Sequence, residues 1–415
     1  MKSLRVLLSS VVAVAMTFGF SPSTAHGQNG CASDVNGDGV VNGDDLATLL
    51  SDWGEVCLST VTSVTPLSGA TFGGTEITIN GTHLGGTLAV EVGGVACTSL
   101  QVLSSTLVKA VTPAGKSGAV AITVISAAGT ATAANAFTYV VSVTVPSWAT
   151  LIEAMPDPTV VTDATLRDAI IASGFAWRVR DNGTQIEMVV VPGGTFVMGC
   201  TASNAYPCYS DENPTHSVTI TNAFYMGRYE VTQAQWLAKM GSNPSIFQGA
   251  SYPDAASRPV ETVSWNTIQG FLTATGMQLP TEAQWEYACR AGTTTAFHGF
   301  TGYLSGTNDD TLVGNIAWDV SNSGSQTHAV GGKAANGLGL YDMSGNVFEW
   351  CGDRYGAYSA GAQTNPTGPA TGAFSVLRGG AWSDNSNLVR SSYRGVNPPG
   401  YSSDFLGFRV ARTPS

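Results

Sequence analysis

Apolar positions follow two different periods along this chain. From Val61 to Val140, runs of five to seven valine, isoleucine and threonine residues alternate with glycine-rich turns, which predicts an all-β sandwich. From about Gln185 the period changes. MVVVPGGTFVMGC predicts a buried strand, a turn and a second strand.

Helical spacing of apolar residues follows that strand pair, and each helix has a start signal and a stop signal. The predicted helices begin at Thr232, Ser264 and Thr281 and end at Gly241, Gly276 and Gly292. A further helix is predicted in TDATLRDAIIASGF, ending at Gly174. Beyond Gly292 the chain is rich in glycine, asparagine and aromatic residues and predicts irregular loops.

These changes of pattern divide the chain into successive segments. The predicted organisation is a signal peptide over 1–27, a small calcium module over 28–58, an immunoglobulin-like domain over 60–140, a linker with one helix over 141–184 and a large domain over 185–415. Lys2 and Arg5 precede an apolar core too short to span a bilayer, so we expect a secreted or cell-surface protein. An uncleaved N-terminal anchor is the alternative, and no later segment predicts a transmembrane helix.

The net negative charge of the chain restricts the kinds of molecule that it is expected to bind. Charged residues make up 11% of the chain, and the net charge is −11. An acidic chain is a poor partner for nucleic acid or for anionic membrane surfaces, and a better one for divalent cations.

Seven cysteines leave at least one unpaired within the chain. An exported protein permits disulfides. Two pairs bracket short segments and are disulfide candidates: Cys31 with Cys57, and Cys200 with Cys208. The pairing of Cys97, Cys289 and Cys351 stays open.

The small N-terminal module carries the ligand spacing of a calcium loop. Oxygen ligands at positions 1, 3, 5, 7, 9 and 12 come from Asp34, Asn36, Asp38, the Val40 carbonyl, Asn42 and Asp45. A metal-free turn is the alternative. The segment resembles one repeat of a dockerin module, which implies calcium binding and a cohesin-type partner. Dockerins usually carry two repeats.

The immunoglobulin-like segment carries a second resemblance. Its opening glycines and the ITING run are similar to the IPT/TIG family. The segment has no cluster of ionisable groups, so a spacer or a binding module is expected.

The large domain resembles a third family along most of its length. PGGTFVMG, DENPTHSVTI, YEVTQAQW, RPVETVSW, LPTEAQWEYACRAGT, GLGLYDMSGNVFEW, LRGGAW and LGFRV follow the order of the formylglycine-generating enzyme (sulfatase-modifying factor) family, over residues 185–412. The resemblance implies an α+β variant of the C-type lectin fold with much irregular structure. It also implies an oxidase that converts a sulfatase cysteine to formylglycine with O₂ and a copper ion held by two cysteines.

That cysteine pair is missing here. Counting back from GFR places Ala381 and Ser386 at the two positions, and counting forward from the glycine pair places Asp384 and Val389 there. Copper(I) prefers soft thiolates, so copper is not expected as a cofactor.

The resemblance also implies two calcium sites with oxygen ligands. One would use the Asp342 and Glu349 carboxylates with the Gly345 and Val347 carbonyls, the alternative being a turn that leads into a core strand. The other would use Asn315, the Ile316 carbonyl, Asn322 and the Gly324 carbonyl.

Together these features predict an exported, calcium-binding modular protein whose large domain is a non-catalytic binding or adhesion scaffold for an unidentified protein or glycan. Its binding face is expected in residues 376–405 and 294–328. One alternative is a sulfatase-maturation oxidase that recruits Cys289 or Cys351. Another is an accessory subunit of a polysaccharide-degrading complex, attached through the dockerin-like repeat.

Overall fold

The computed structural model of the chain describes residues 40–51, 58–127, 129–201 and 208–414. The signal peptide and five of the proposed site residues, Cys31, Asp34, Asn36, Asp38 and Cys57, lie outside this part. The chain divides into two compact units. Among the described residues, the first unit comprises the residues up to 68, residues 75–113 and residues 119–138. The second unit comprises residues 69–74, residues 114–118 and the residues from 139 onward.

The first unit is built largely from short strands that follow one helix. The helix is α1 (Gly43–Ser51), and the strands of the immunoglobulin-like region are β1 (Thr60–Thr65), β2 (Ser68–Ala70), β3 (Glu76–Thr82), β4 (Thr87–Val92), β5 (Val95–Ala96), β6 (Thr98–Val102), β7 (Leu107–Val111), β8 (Gly118–Ser126) and β9 (Gly129–Val140). One sheet has the order β1-β3-β7-β6, and in the other β8 lies between β9 and β4. The predicted all-β region is confirmed.

Alternation explains these strands. Ile77 and Ile79 of β3 are fully buried, whereas Glu76 and Thr82 at its ends are exposed. Ile122 and Val124 of β8 repeat the two-residue period. Each sheet therefore turns its β-branched residues toward the interior of the unit.

The second unit mixes helices with short strands. The helices are α2 (Ala164–Ala172), α3 (Gln233–Met240), α4 (Trp265–Thr275) and α5 (Glu282–Arg290). The strands are β10 (Ala149–Glu153), β11 (Arg178–Asp181), β12 (Glu187–Val191), β13 (Gly194–Met198), β14 (His216–Ile220), β15 (Phe224–Gly227), β16 (Ala317–Trp318), β17 (Ser344–Gly345), β18 (Phe348–Arg354), β19 (Gln363–Thr364), β20 (Ser375–Arg378), β21 (Gly395–Asn397), β22 (Leu406–Gly407) and β23 (Ala411–Arg412).

Two sheets organise this unit. The larger has the order β10-β11-β12-β15-β23, and β12 is the buried strand predicted from MVVVP. The second has the order β21-β20-β18-β22, and its strands follow the irregular loops in the sequence. Trp177, Trp285 and Trp350 are fully buried in the core of the unit.

Residues 141–184 contribute more than the predicted linker with one helix. The helix is present as α2, capped by Asp163, and Gly174 follows it with a positive φ. Strands β10 and β11 also lie in this segment and join the larger sheet, where β11 pairs with β12. Because Trp177 is fully buried, the segment belongs to the core of the second unit.

The helix start signals are confirmed as capping boxes. In α3, Thr232 Oγ1 accepts the Gln235 N–H at 3.3 Å, and Gln235 Oε1 accepts the Thr232 N–H at 3.0 Å. Ser264 and Thr281 cap α4 and α5 in the same way. Gly241 and Gly276 end their helices, but α5 ends at Arg290 and Ala291, rather than Gly292, takes the left-handed C-cap conformation. Among the described residues, every helix is too short or too polar to cross a lipid bilayer.

Candidate binding site

A glycine pair begins the loop that contains the positions expected for the two copper-binding cysteines. Gly379 and Gly380 follow β20 with φ of 93° and 72°. A Cβ on Gly380 would lie 2.6 Å from Val389 Cγ1 and 2.8 Å from the Leu388 carbonyl oxygen, closer than any side chain allows. The pair therefore packs the turn directly against residues 388–389.

The four residues at the family's cysteine positions have structural partners. Ala381 and Val389 are fully buried, and Val389 packs in an apolar cluster with Phe297. Asp384 Oδ2 accepts the Ala381 N–H at 2.9 Å, and burial raises the pKa of this carboxyl to about 6. Ser386 begins a short 3₁₀ turn. Methyl, hydroxyl and carboxyl groups offer no soft ligand for copper(I).

The thiols elsewhere in this unit are buried. Cys289 Sγ lies 3.5 Å from Ser391 Oγ and 3.7 Å from the Met343 carbonyl oxygen, and burial raises the pKa of its thiol to about 11. Burial also raises the pKa of the Cys351 thiol well above its ordinary value. Both thiols are therefore protonated at neutral pH, whereas metal binding and nucleophilic attack need the thiolate. Cys200 and Cys208 form a disulfide with an S–S distance of 1.99 Å.

Two loop regions, 294–328 and 376–405, lie against each other, and we call them the loop face. The Val320 N–H donates to the Asp384 carbonyl at 2.9 Å, and Ser323 Oγ donates to the Trp382 carbonyl at 2.8 Å. Deeper in, the Ser391 N–H donates to the Ala296 carbonyl at 2.9 Å. These hydrogen bonds to backbone carbonyls, two from backbone N–H groups and one from a serine hydroxyl, hold the two regions together where no regular strand does.

Trp382 has a fixed position in the loop face. Its Nε1–H donates to the Asp404 carbonyl at 3.1 Å, and its ring meets Phe247 edge to face at 5.6 Å. Val320 and Tyr401 of the same loops are about half exposed, as is Ile246 beside Phe247. The surface therefore presents apolar and aromatic groups on a backbone fixed by hydrogen bonds.

Buried ion pairs anchor the loop face from below. Arg390 contacts both oxygens of Glu212 at 2.7 and 2.9 Å, and Arg394 contacts both oxygens of Glu282 at 2.6 and 2.8 Å. Arg378 pairs with Glu286. The sequence patterns do not predict these pairs. The signal that could have suggested them is the density of arginine in the last motif, at Arg378, Arg390, Arg394, Arg409 and Arg412 of a chain with 18 basic residues.

The first predicted calcium set of this unit is only partly available for a cation. Asp342 is buried; its Oδ2 accepts the Gly331 N–H at 2.6 Å, while its Oδ1 has no hydrogen-bond partner. Both Glu349 oxygens contact Arg409 at 2.6 Å, and one also accepts the Trp285 Nε1–H at 2.7 Å. A calcium ion would thus find a free acceptor on Asp342 but would compete with Arg409 for Glu349.

The N–H groups of Gly345 and Val347 form hydrogen bonds that do not involve the carbonyl oxygens named as ligands. The Val347 N–H donates to Glu230 at 3.1 Å, and the Gly345 N–H donates to the Gly379 carbonyl at 2.8 Å. Burial, followed by the charges of Asp342 and Glu349, raises the pKa of Glu230 well above its ordinary value. Within the described ranges, no group of three histidine, cysteine, aspartate or glutamate side chains is arranged to hold a metal ion.

The second predicted calcium set lies in the turn after the 3₁₀ segment Asp310–Asn315. Asn315 Nδ2 donates to the Leu312 carbonyl at 2.9 Å. Asn322 Oδ1 accepts the Asp319 N–H at 3.0 Å, and its Nδ2 donates to the Ala317 carbonyl at 3.0 Å. Ile316 is buried, and Gly324 has a φ of 62°. The two asparagine side chains are therefore already hydrogen-bonded to backbone groups of this segment.

Three ligand residues of the N-terminal calcium loop fall within the described part. Asp45 is buried, and its Oδ2 accepts the Asn42 N–H at 2.7 Å. Asn42 Oδ1 accepts the Asp44 N–H at 2.6 Å. These bonds lie at the start of α1, and Val40 lies two residues before Asn42.

Comparison with known families matches both units. The sulfatase-modifying factor enzyme 1-like domain (FGE-sulfatase) matches residues 177–414, and the IPT/TIG domain matches residues 59–139. The first match begins within the segment predicted to be a linker, in agreement with the place of β11 in the larger sheet.

Similar proteins carry different names. Serine/threonine-protein kinase pkn1 of Chlamydia caviae is 32% identical over 250 residues, which cover 54% of this chain and 38% of that protein. Chaperone protein LppX of Paenibacillus barcinonensis is 30% identical over 276 residues, covering 55% and 89%. Formylglycine-generating enzyme of Thermomonospora curvata is 29% identical over 285 residues, covering 55% and 93%. The chain thus spans well under half the length of the kinase.

The Glu212–Arg390 pair generates a stability prediction with a defined pH dependence. Burial alone would raise the pKa of Glu212, but hydrogen bonds from Arg390 and Ser392 outweigh it and hold the pKa below its ordinary value of 4.5. The pair therefore stabilises the fold above about pH 4.5, and this contribution is lost as the pH falls through the lower pKa of the folded state. We expect Glu212→Gln to lower the free energy of unfolding by about 3–5 kcal/mol at pH 7, and by less below pH 4.

Urea unfolding followed by tryptophan fluorescence measures this, because all described tryptophans lie in the second unit. Glu153→Gln is the control, because Glu153 pairs with Arg178 near the surface and should contribute at most about 1 kcal/mol. Equal effects of the two substitutions at pH 7 would contradict the prediction.

Proposed function

This chain belongs to the sulfatase-modifying factor enzyme 1-like family through residues 177–414, and on that premise we propose that this domain is a binding scaffold rather than an oxidase. The observation that carries the proposal is chemical. Between Gly379 and Arg409 the chain has no cysteine, and the four residues at the expected positions are alanine, aspartate, serine and valine.

Similarity to proteins of other names supports the separation of this fold from the oxidase activity. The relatives include proteins named as a kinase and as a chaperone, alongside formylglycine-generating enzymes. A fold that occurs in proteins of different names does not by itself assign an activity. The kinase name is not carried over, because the match covers 38% of that protein.

The proposed ligand-binding surface is the loop face. Trp382 offers a half-buried aromatic ring with a fixed orientation, and Val320 and Tyr401 offer exposed apolar area nearby in the same loops. Rigid aromatic groups beside apolar area bind both proteins and sugar rings effectively. A protein or glycan ligand is therefore proposed for this face.

We further propose that the protein acts outside the cytoplasm. The apolar N-terminal segment supports export, and the Cys200–Cys208 disulfide is typical of an oxidising compartment. The dockerin-like repeat favours one specific alternative, an accessory subunit held by a cohesin-type partner.

Binding by the loop face is tested with the full chain on a glycan array and a phage-displayed peptide library. We expect Val320→Asp and Tyr401→Ala each to lower the affinity for the captured probes by about tenfold or more, because both side chains lie exposed in the loops. Leu237→Asp is the matched control, because Leu237 is exposed on α3. The proposed surface is contradicted if the probes bind both loop variants with the same affinity as the wild type, or if no probe is captured.

Calcium binding is proposed for the N-terminal loop first. Its six ligand positions have the complete spacing, whereas Glu349 of the later site is already paired with Arg409. We expect calorimetry on the full chain to detect Ca²⁺ binding that Asp45→Ala removes and Asp342→Asn leaves in place. Binding that persists in Asp45→Ala and is lost in Asp342→Asn would place the ion in the large domain instead.

A further inference from the structure

A cavity of about 450 Å³ opens beside the start of α5 in the second unit. Its walls come from the connection between β18 and β20, from the first residue of β14 and from the first turn of α5. The ionisable or aromatic groups in its lining include Asp353, His216, Glu282, Tyr358 and Arg394. The volume falls in the range of small-molecule sites.

Asp353 is a carboxyl group without a cationic partner in this cavity. It is 4% exposed, and its Oδ2 accepts the Glu282 N–H at 2.8 Å. Within the described part of the chain, Oδ1 accepts no hydrogen bond from another residue. The second acid in the wall, Glu282, differs because Arg394 contacts both of its oxygens.

The charged neighbours of Asp353 are otherwise engaged. Arg394 is held by Glu282, and Arg354 donates to Ser375 Oγ at 2.9 Å and stacks over Trp265. Two further titratable groups face Asp353. The Nδ1 of His216 lies 3.1 Å from the Pro214 carbonyl oxygen, and the Tyr358 hydroxyl donates to Glu282 at 3.0 Å. The buried Cys351 and Arg378 are the remaining titratable groups close to Asp353. No cation in this part of the structure is free to neutralise Asp353.

The surroundings of Asp353 disfavour its charged form. Burial, followed by the charge of Glu282, raises the pKa of Asp353 to about 7. A cation placed against Oδ1 would reverse this effect, because an opposite charge favours the ionised carboxylate.

We propose that the cavity beside Asp353 binds a small ligand through an ammonium group, with the Asp353 carboxylate as its counter-ion. A guanidinium group is a poorer fit because it prefers both oxygens of a carboxylate, and one is already bound to the Glu282 N–H. A divalent metal ion needs several oxygen ligands, and within the described part of the chain no three acidic, histidine or cysteine side chains are arranged for one.

The rest of the wall suits the remainder of such a ligand. Ser359, Gln363 and Thr367 place polar groups along the rim, while Met198 and Pro369 supply apolar contact. An amino sugar and a lysine side chain share the ammonium group and fit these dimensions. The experiment therefore uses both as probes.

The test is calorimetry on the full chain at pH 7 with two matched pairs of probes. Glucosamine is compared with glucose, and Nα-acetyl-lysine amide with Nα-acetyl-norleucine amide. We expect at least one ammonium probe to bind about tenfold or more tightly than its neutral partner. The lysine amine is fully protonated at pH 7, so its binding should displace protons from Asp353, and the release is measurable as a difference between buffers of different ionisation enthalpy.

Two variants identify the site. Asp353→Asn keeps an acceptor for the Glu282 N–H but removes the charge, so the preference for the ammonium probe and the proton release should both disappear. Ser359→Trp places a large side chain at the exposed rim and should block binding without touching the core. Asp310→Asn, an exposed acid outside the cavity, is the control and should bind as the wild type does.

Each outcome decides the proposal. Preference for glucosamine alone identifies a glycan source, preference for the lysine probe alone identifies a polypeptide source, and preference for both establishes a general ammonium site. The proposal is overturned if neither ammonium probe binds more tightly than its neutral partner, or if Asp353→Asn and Ser359→Trp bind as tightly as the wild type. Neither result depends on ligand binding by the loop face.

Discussion

Buried arginine–glutamate pairs are the interaction on which the large domain depends. Arg378, Arg390, Arg394 and Arg409 come from the last motif, and their partners Glu286, Glu212, Glu282 and Glu349 come from α5, β18 and the turn before β14. Such pairs contribute modest net stability, but breaking one leaves a buried charge that destabilises strongly. They therefore allow one arrangement of the final loops and penalise others.

The same guanidinium groups satisfy backbone carbonyls that no strand satisfies. Arg378 donates to the Ser391 and Ser392 carbonyls, and Arg409 donates to the carbonyls of Gly227 and Tyr341. Irregular chain can be buried only when its polar backbone groups find partners. This framework explains how the loop face keeps its shape without copper thiols: Val389 fills one expected position with apolar packing, and Asp384 uses the other to close a turn.

Local features of the fold could be predicted from the sequence, because each depends on a few neighbouring residues. The capping boxes at Thr232 and Thr281 and the buried strand β12 are of this kind. Long-range pairing was harder. Strands β10 and β11 fall in the segment that the sequence predicts to be a linker, because their pairing partners meet them only when the sheet forms. The sequence pattern does not single out Asp353 for the same reason, since its burial depends on a loop more than ten residues further along the chain.

The central claim is that this domain binds without performing the oxidation that its family resemblance implied. The most direct measurement incubates the purified full chain with copper, O₂ and a peptide carrying a Cys-x-Pro-x-Arg site, and follows the peptide by mass spectrometry. We expect the peptide cysteine to stay unchanged, while the Thermomonospora curvata formylglycine-generating enzyme, run in parallel, converts it to the aldehyde. Aldehyde formation by this chain would contradict a non-catalytic domain, and its loss in Cys289→Ser or Cys351→Ser would then identify the recruited thiol.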